Sequence, residues 1–179
     1  MQDQKSVLVL LNQYAAEGTV EQQSLEFIKN FVESNTRYWS RQTLAGHLTA
    51  SAWITNKEKT RAVLLHHGKL DIWVQPGGHV DDEDESLLLA SLREAEEETG
   101  LQGLQPVSDG IFDVDVHAIP ARKGEPEHNH LDIRFWFIAG NEELTLSDES
   151  HELAWLSKAQ IEQKTQEESV LRMVRKSLA

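Results

Sequence analysis

The chain contains no cysteine, which excludes disulfide bridges, thiol nucleophiles, thiolate zinc sites and iron–sulfur clusters. That usage fits a reducing compartment, and we expect a cytoplasmic protein. Long apolar runs are also lacking. The longest near the start, Val7 to Leu11, is too short for a signal h-region and far too short to span a bilayer, and little positive charge precedes it. Basic residues are scarce: 17 Lys plus Arg face 30 Asp plus Glu, a formal net charge of −13. This balance opposes binding to duplex nucleic acid or an anionic membrane, but permits a phosphate substrate if a cation bridges the two. With 39% apolar and 26% charged residues, collagen-like, disordered and disulfide-scaffold classes drop out. The 179 residues suit about one domain, whose folding should bury roughly 68–75% of the extended chain's surface.

Apolar residues recur at helical spacing over Ser6 to Tyr14 and over Val20 to Phe31, separated by Gly18 and Thr19, which predicts a helical hairpin. From Gly46 onward short segments rich in β-branched and aromatic residues take over. The predicted strands are His47 to Thr55, Arg61 to His67, Asp71 to Gln75, Val107 to Ile119, Leu131 to Ala139 and Glu152 to Leu156. A long helix over Ser86 to Thr99 interrupts them, and a terminal helix with a break covers Ser157 to Ser177. Strands on both sides of one central helix imply α/β layering with a mixed sheet.

The stretch from Pro76 to Leu101 reads PGGHVDDEDESLLLASLREAEEETGL. Nine carboxylates and one basic residue, Arg93, lie between Asp81 and Glu98. At about 100° per residue, Glu94, Glu97 and Glu98 share one arc of the helix, while Leu88, Leu92 and Ala95 form an apolar stripe. Like charges at this spacing destabilise an isolated helix by a few tenths of a kcal/mol per pair, and a divalent cation reverses the sign. Oxygen ligands alone select a hard ion, Mg²⁺ or Mn²⁺ in its place, which binds a few carboxylates together with phosphate oxygens. Gly77 and Gly78 permit close backbone approach, so the Gly78 carbonyl is a further candidate ligand. A metal-polarised water attacking phosphorus is the economical chemistry for such a patch.

These residues resemble the Nudix box, G-x5-E-x7-R-E-U-x-E-E-x-G-U with U aliphatic. Leu101, Gly100, Glu98, Glu97, Ala95, Glu94, Arg93 and Glu85 match it, preceded by a QPGG that resembles the family's usual entry. One residue departs from the pattern: six residues, not five, separate Gly78 from Glu85. Helical register keeps Glu85 in place and puts the insertion among Asp81 to Asp84, which leaves open whether Asp84 or Glu85 plays the loop role. The resemblance implies an α/β; Nudix-type α/β/α sandwich with mixed β-sheet over about Gly46 to Leu156, plus an N-terminal helical hairpin. We accordingly assign residues 1–44 to a helical extension and 45–179 to the Nudix domain. It also implies hydrolysis of a nucleoside diphosphate linked to another moiety, with Mg²⁺ or Mn²⁺. Glu94, Glu97 and Glu98 then resemble the metal ligands, while Arg93, Glu85 and Gly100 resemble the part that braces helix and loop. Glu149, ahead of Trp155, is the candidate distal ligand or general base, with Glu152 second.

A second polar cluster, RKGEPEHNHLDIR, spans Arg122 to Arg134. On an extended strand Leu131, Ile133, Phe135 and Phe137 share one face and His128, His130, Asp132 and Arg134 the other. Arg122, Lys123 and Arg134 are candidate cations for a substrate's phosphates, and His128 and His130 candidate hydrogen-bond donors. The two histidines at i, i+2 also suit zinc, although the nearby acids suit a harder ion. Trp73 and Trp136 are candidates either to stack on a base or to fill the core. The hairpin is left with three roles: covering the site, forming a homodimer contact, or adding packing. Signatures of NADH-type and coenzyme A members are absent, and Val116, His117 and Ala118 stand where other subgroups carry a proline or tyrosine. A non-catalytic nucleotide-sensing Nudix domain is the alternative function. An isopentenyl diphosphate type isomerase shares the fold but relies on a cysteine that this chain lacks.

Overall fold

The alternation of side chains along one central strand organises the molecule. β1 (Gly46–Thr55) is buried from end to end. Leu48, Ala50, Ala52 and Ile54 enter one core cluster, whereas Trp53 enters a second on the opposite face. A strand covered on both faces must sit inside the sheet, and β1 pairs in parallel with β7 (His128–Ile138) and antiparallel with β2 (Arg61–His67). The computed structural model describes residues 3–68, 71–121, 124, 126–146 and 150–179. The sheet runs β3 (Ile72–Val74), β2, β1, β7, β5 (Gln105–Pro106), with β4 (Gly77–His79) on β1, β6 (Asp113–Ile119) on β7 and β8 (Ser150–Ser157) on β2. It is a mixed sheet, as expected, between two helical layers.

One layer holds α1 (Gln4–Gln13), α2 (Gly18–Ser34) and α3 (Leu87–Thr99), and the other α4 (Lys158–Lys164) and α5 (Glu168–Ser177). Asp3 caps α1 by accepting the Ser6 N–H, and Ser86 caps α3 by accepting the Leu89 N–H. Gly100 ends α3 in the left-handed region, its N–H donating to the Glu96 carbonyl. The predicted break in the terminal helix falls between α4 and α5.

Val7, Leu11, Leu25, Ile28 and Val32 from the hairpin join the same apolar cluster as β1, β7 and α3. At about 1.5–3 kcal/mol per buried large aliphatic side chain, this packing binds the hairpin firmly to the sandwich. Several strands differ from expectation: β5 is additional, and β7 and β8 begin ahead of the predicted Leu131 and Glu152. The predicted Val107 to Ile119 strand begins only at Asp113, because Ser108 to Gly110 turn, with the Gly110 N–H donating to Ser108 Oγ. β4 was not anticipated, since glycine is a poor strand former, but register on β1 supplies its partners. Trp73 and Trp136 pack in the second cluster, where Lys164 and Lys59 lie over their rings, so core packing is their place.

Candidate active site on α3 and β4

The short strand β4 lies against β1 with Gly77 opposite Ser51, Gly78 opposite Ala50 and His79 opposite Thr49. A Cβ on Gly77 would stand 2.5 Å from Ser51 Cα, and one on Gly78 2.7 Å from Glu94 Cδ. The paired glycines therefore let the backbone close onto β1 on one side and the carboxylate of α3 on the other. Glu98 reaches the same strand, accepting the Gly77 N–H at 2.8 Å.

Arg93 ties this assembly together. Its guanidinium donates to Asp84 Oδ1 at 3.0 Å and Oδ2 at 2.9 Å, to the His79 carbonyl at 3.0 Å, to Glu94 Oε1 at 2.9 Å and to Glu97 Oε2 at 3.3 Å. The acid that braces Arg93 is thus Asp84. Glu85 is exposed and, among the described residues, has no side-chain partner, so the choice left open between the two acids falls on Asp84 and Glu85 loses its expected place in the brace. The physical reason is the extra loop residue: Asp84 folds back onto Asp81, accepting its N–H at 2.8 Å, and this turn aims Asp84 at Arg93.

Burial pushes the Glu94 carboxyl above its ordinary range, aided by the neighbouring charges of Glu97 and Asp81, although Arg93 opposes the rise. Burial alone would raise Asp84 as well, but its bonds from Arg93 and the Asp81 N–H hold it below the usual carboxylate range. Glu97 is the most open of the glutamates, with its side chain 59% exposed. The three glutamates do not close into a compact cage. Among the described residues, only His47, His79 and His130 form a group of three whose ligand atoms lie within 4.8 Å of one another. An open carboxylate patch still fits a hard ion that keeps several waters and takes part of its shell from phosphate oxygens.

The family model for the NUDIX domain matches residues 45–176. The chain belongs to the Nudix family. A Xenopus laevis relative named m7GpppN-mRNA hydrolase NUDT17 is 40% identical over 74 residues, covering 40% of this chain but only 24% of that protein. A Nudix-family hydrolase from Clostridium perfringens is similar in structure, with a TM-score of 0.54 at 26% identity over 72% of this chain and 94% of its own. A C. elegans Ap4A hydrolase, in a binary complex, gives 0.54 at 19% identity over 72% and 93%, a likeness of fold alone.

Beyond the Nudix helix, the structure rearranges the second polar cluster. Arg134 is 2% exposed and locked among acids, at 2.7 Å from Asp132, 3.1 Å from Asp113 and 3.5 Å from Asp115. It is a buried counter-ion, so its expected role as a phosphate contact is withdrawn: its charge is consumed within the sheet. Asp132 also accepts from Thr49, Ser51 and Gln75, a junction that strand alternation hinted at but could not assemble. Asp113 gathers Arg172 and Lys176 from α5, and Lys176 continues to Glu21 of α2. Glu149 and Arg122 lie outside the described residues, as does Lys123. Glu152 is exposed and 3.7 Å from Lys164, away from α3.

His128 and His130 fall where expected, on one face of β7, but in company the sequence concealed. His47, His79, His128 and His130 come together, with ring centroids 4.9–5.2 Å apart in five of their pairings, and His117 lies 5.5 Å from His130. Burial lowers His47 to about 4, and burial followed by the other histidines lowers His130 further. The signal available was the shared parity of His47 with Thr49 and Ser51 and of His130 with Asp132. Which strands would pair was missing.

Proposed function

We propose that this chain is a metal-dependent hydrolase that cleaves a phosphoanhydride bond in a nucleoside diphosphate linked to another moiety, using Mg²⁺ or Mn²⁺. The observation that carries the reading is that Glu94 and Glu98 of α3 lie against a glycine strand that a side chain would block, with Glu97 joined to Glu94 through Arg93. Glu94, Glu97 and Glu98, with the Gly78 carbonyl, are the residues to hold the ion. Held there, a divalent ion would supply Lewis-acid polarisation of a phosphate oxygen and a water acidic enough to attack near neutral pH. Arg93 fixes one oxygen of Glu94 and one of Glu97, so that the patch keeps its shape while its charge is unmatched. Asp84 and the His79 carbonyl in turn hold Arg93, linking loop, strand and helix as one support.

The name of the Xenopus relative, an mRNA cap hydrolase, supports a substrate with nucleotides joined through phosphates, but its matched part is too short to carry that substrate across. We assign the catalytic domain to residues 45–179 and the hairpin, residues 1–44, to a supporting extension. A cytoplasmic site of action and a homodimer complete the proposal. No described helix is long and apolar enough to cross a membrane.

The test is a panel of nucleoside diphosphate sugars, dinucleoside polyphosphates, nucleoside triphosphates and capped dinucleotides with Mg²⁺ or Mn²⁺, read by phosphate release after phosphatase coupling. Turnover with at least one compound, abolished by chelator, is the expected result. Tight nucleotide binding without turnover would replace this reading with the sensing one.

A further inference from the structure

The two faces of β4 carry different chemistry. Gly78 approaches Glu94 of α3, while its neighbour His79 stands beside the rings of His47 and His130. We infer that His47, His79 and His130 form a second metal site, selective for a borderline transition ion such as Zn²⁺, on the face of the sheet opposite the carboxylate patch. This inference is independent of the proposed hydrolysis.

Three observations support it. Each of the three histidines offers a ligand nitrogen within 4.8 Å of the others, and a tetrahedral zinc with bonds of about 2.0–2.1 Å would draw them to about 3.4 Å. Modest side-chain rotation closes that gap. Next, His47 is 3% exposed, and neither of its ring nitrogens has a hydrogen-bond partner. An unsatisfied buried polar group is costly and rare in native proteins, and a metal bond to one of these nitrogens would remove part of that cost. Finally, neighbouring histidines are oriented as metal ligands usually are. The His128 Nδ1 lies 2.9 Å from the Pro126 carbonyl, which only accepts, so Nδ1 is the donor in this contact and Nε2 is the nitrogen left for an ion. His117 Nδ1 lies 3.5 Å from the Asp115 carboxylate, the second partner that zinc-binding imidazoles commonly use.

The donor set decides the ion. Imidazole nitrogens suit zinc, nickel and copper, whereas Mg²⁺ and Ca²⁺ demand oxygen. Three histidines leave a fourth position, which His128 or an outside ligand can take. The two sites would therefore sort different cations while sharing one short strand.

The full chain, stripped with chelator and dialysed against Zn²⁺ in excess Mg²⁺, is expected to retain one equivalent of zinc. Co²⁺ in its place should give the intense visible absorption of a tetrahedral nitrogen site. His130→Gln should weaken zinc binding about 100-fold or more, exceeding what the loss of an outer partner costs, while Glu97→Gln leaves it unchanged. His79→Gln, at a half-buried position, serves as the second variant should His130→Gln not fold by circular dichroism. Retention of no zinc, equal binding by a folded histidine variant, or the weak spectrum of an oxygen-bound six-coordinate Co²⁺ would each overturn the inference. Loss of zinc binding in Glu97→Gln would do the same, by placing the ion on α3.

Discussion

Two groups of carboxylates in this molecule face opposite electrostatic fates. Around Asp113, acids and bases are matched within the fold: Arg134, Arg172 and Lys176 converge on one aspartate, and Glu21 pairs with Lys176. Along α3, by contrast, Arg93 is the one cation among the described residues that pairs with Asp84, Glu94 and Glu97, so negative charge is left over there. Burial by itself would raise the Asp113 carboxyl, yet the three cations outweigh it and hold it below its ordinary range. At Glu94 burial prevails over its single cation and the carboxyl rises. Charges neutralised internally hold elements together, whereas charges left unmatched at the surface await something from solution. The first group joins α2, α5, β6 and β7. The second joins the Asp84 loop, β4 and α3 through Arg93, and it is the patch proposed above to hold a cation.

The sharpest way to separate the two groups is to neutralise each in turn. Glu97→Gln and Glu98→Gln should each lower turnover of the best panel substrate by about a thousandfold or more, a barrier change of roughly 4 kcal/mol, with the melting temperature nearly unchanged. Near-full activity in both variants would remove those glutamates from the site. Asp113→Asn should do the reverse, costing about 3–5 kcal/mol in urea unfolding because it strands buried cations, while the folded fraction keeps its affinity for Mn²⁺. If that variant unfolds at the parent's urea midpoint, the network around Asp113 is not what anchors α5.

Acid supplies a gentler probe. Because the Asp113 carboxyl is depressed in the folded state, its contribution is complete above the ordinary aspartate value of about 3.9 and disappears as pH falls through the depressed value. Asp84 and Asp115 are shifted in the same direction. The unfolding midpoint should begin to fall below about pH 6.5, where the unfolded chain takes up protons that buried His47 and His130 resist, and drop more steeply below about pH 4 as the aspartates lose their charge. A midpoint that rose below that pH would contradict the sign. The smallest effect belongs to the exposed pair of Arg61 and Glu142, 2.6 Å apart with side chains 42% and 38% exposed. Glu142→Gln should change stability by under about 1 kcal/mol, measured by the same urea titration. A larger loss would mean that surface pairs rival the buried network.

The α3 helix is a local feature, and the order of residues from Ser86 to Thr99 was enough to define it, while its Ser86 cap and Gly100 stop emerged in the structure. Strand alternation likewise assigned Leu131, Ile133, Phe135 and Phe137 to the core side of β7. What depends on pairing was hidden. Arg134 looks like an available cation in sequence and is a locked one in space, because β6 lays Asp113 opposite it. Asp84 displaces Glu85 as the brace of Arg93 because a loop's path, unlike a helix's register, follows no period.

From the order of residues alone, then, came the helices, the apolar faces and the acidic patch, since each is written within a few turns of chain and governed by short-range geometry. The gathering of His47, His79, His117 and His130 from β1, β4, β6 and β7 was decided only by folding. Contacts between residues far apart in the chain depend on which strands lie side by side and in what register, and that choice belongs to the packing of the whole sheet.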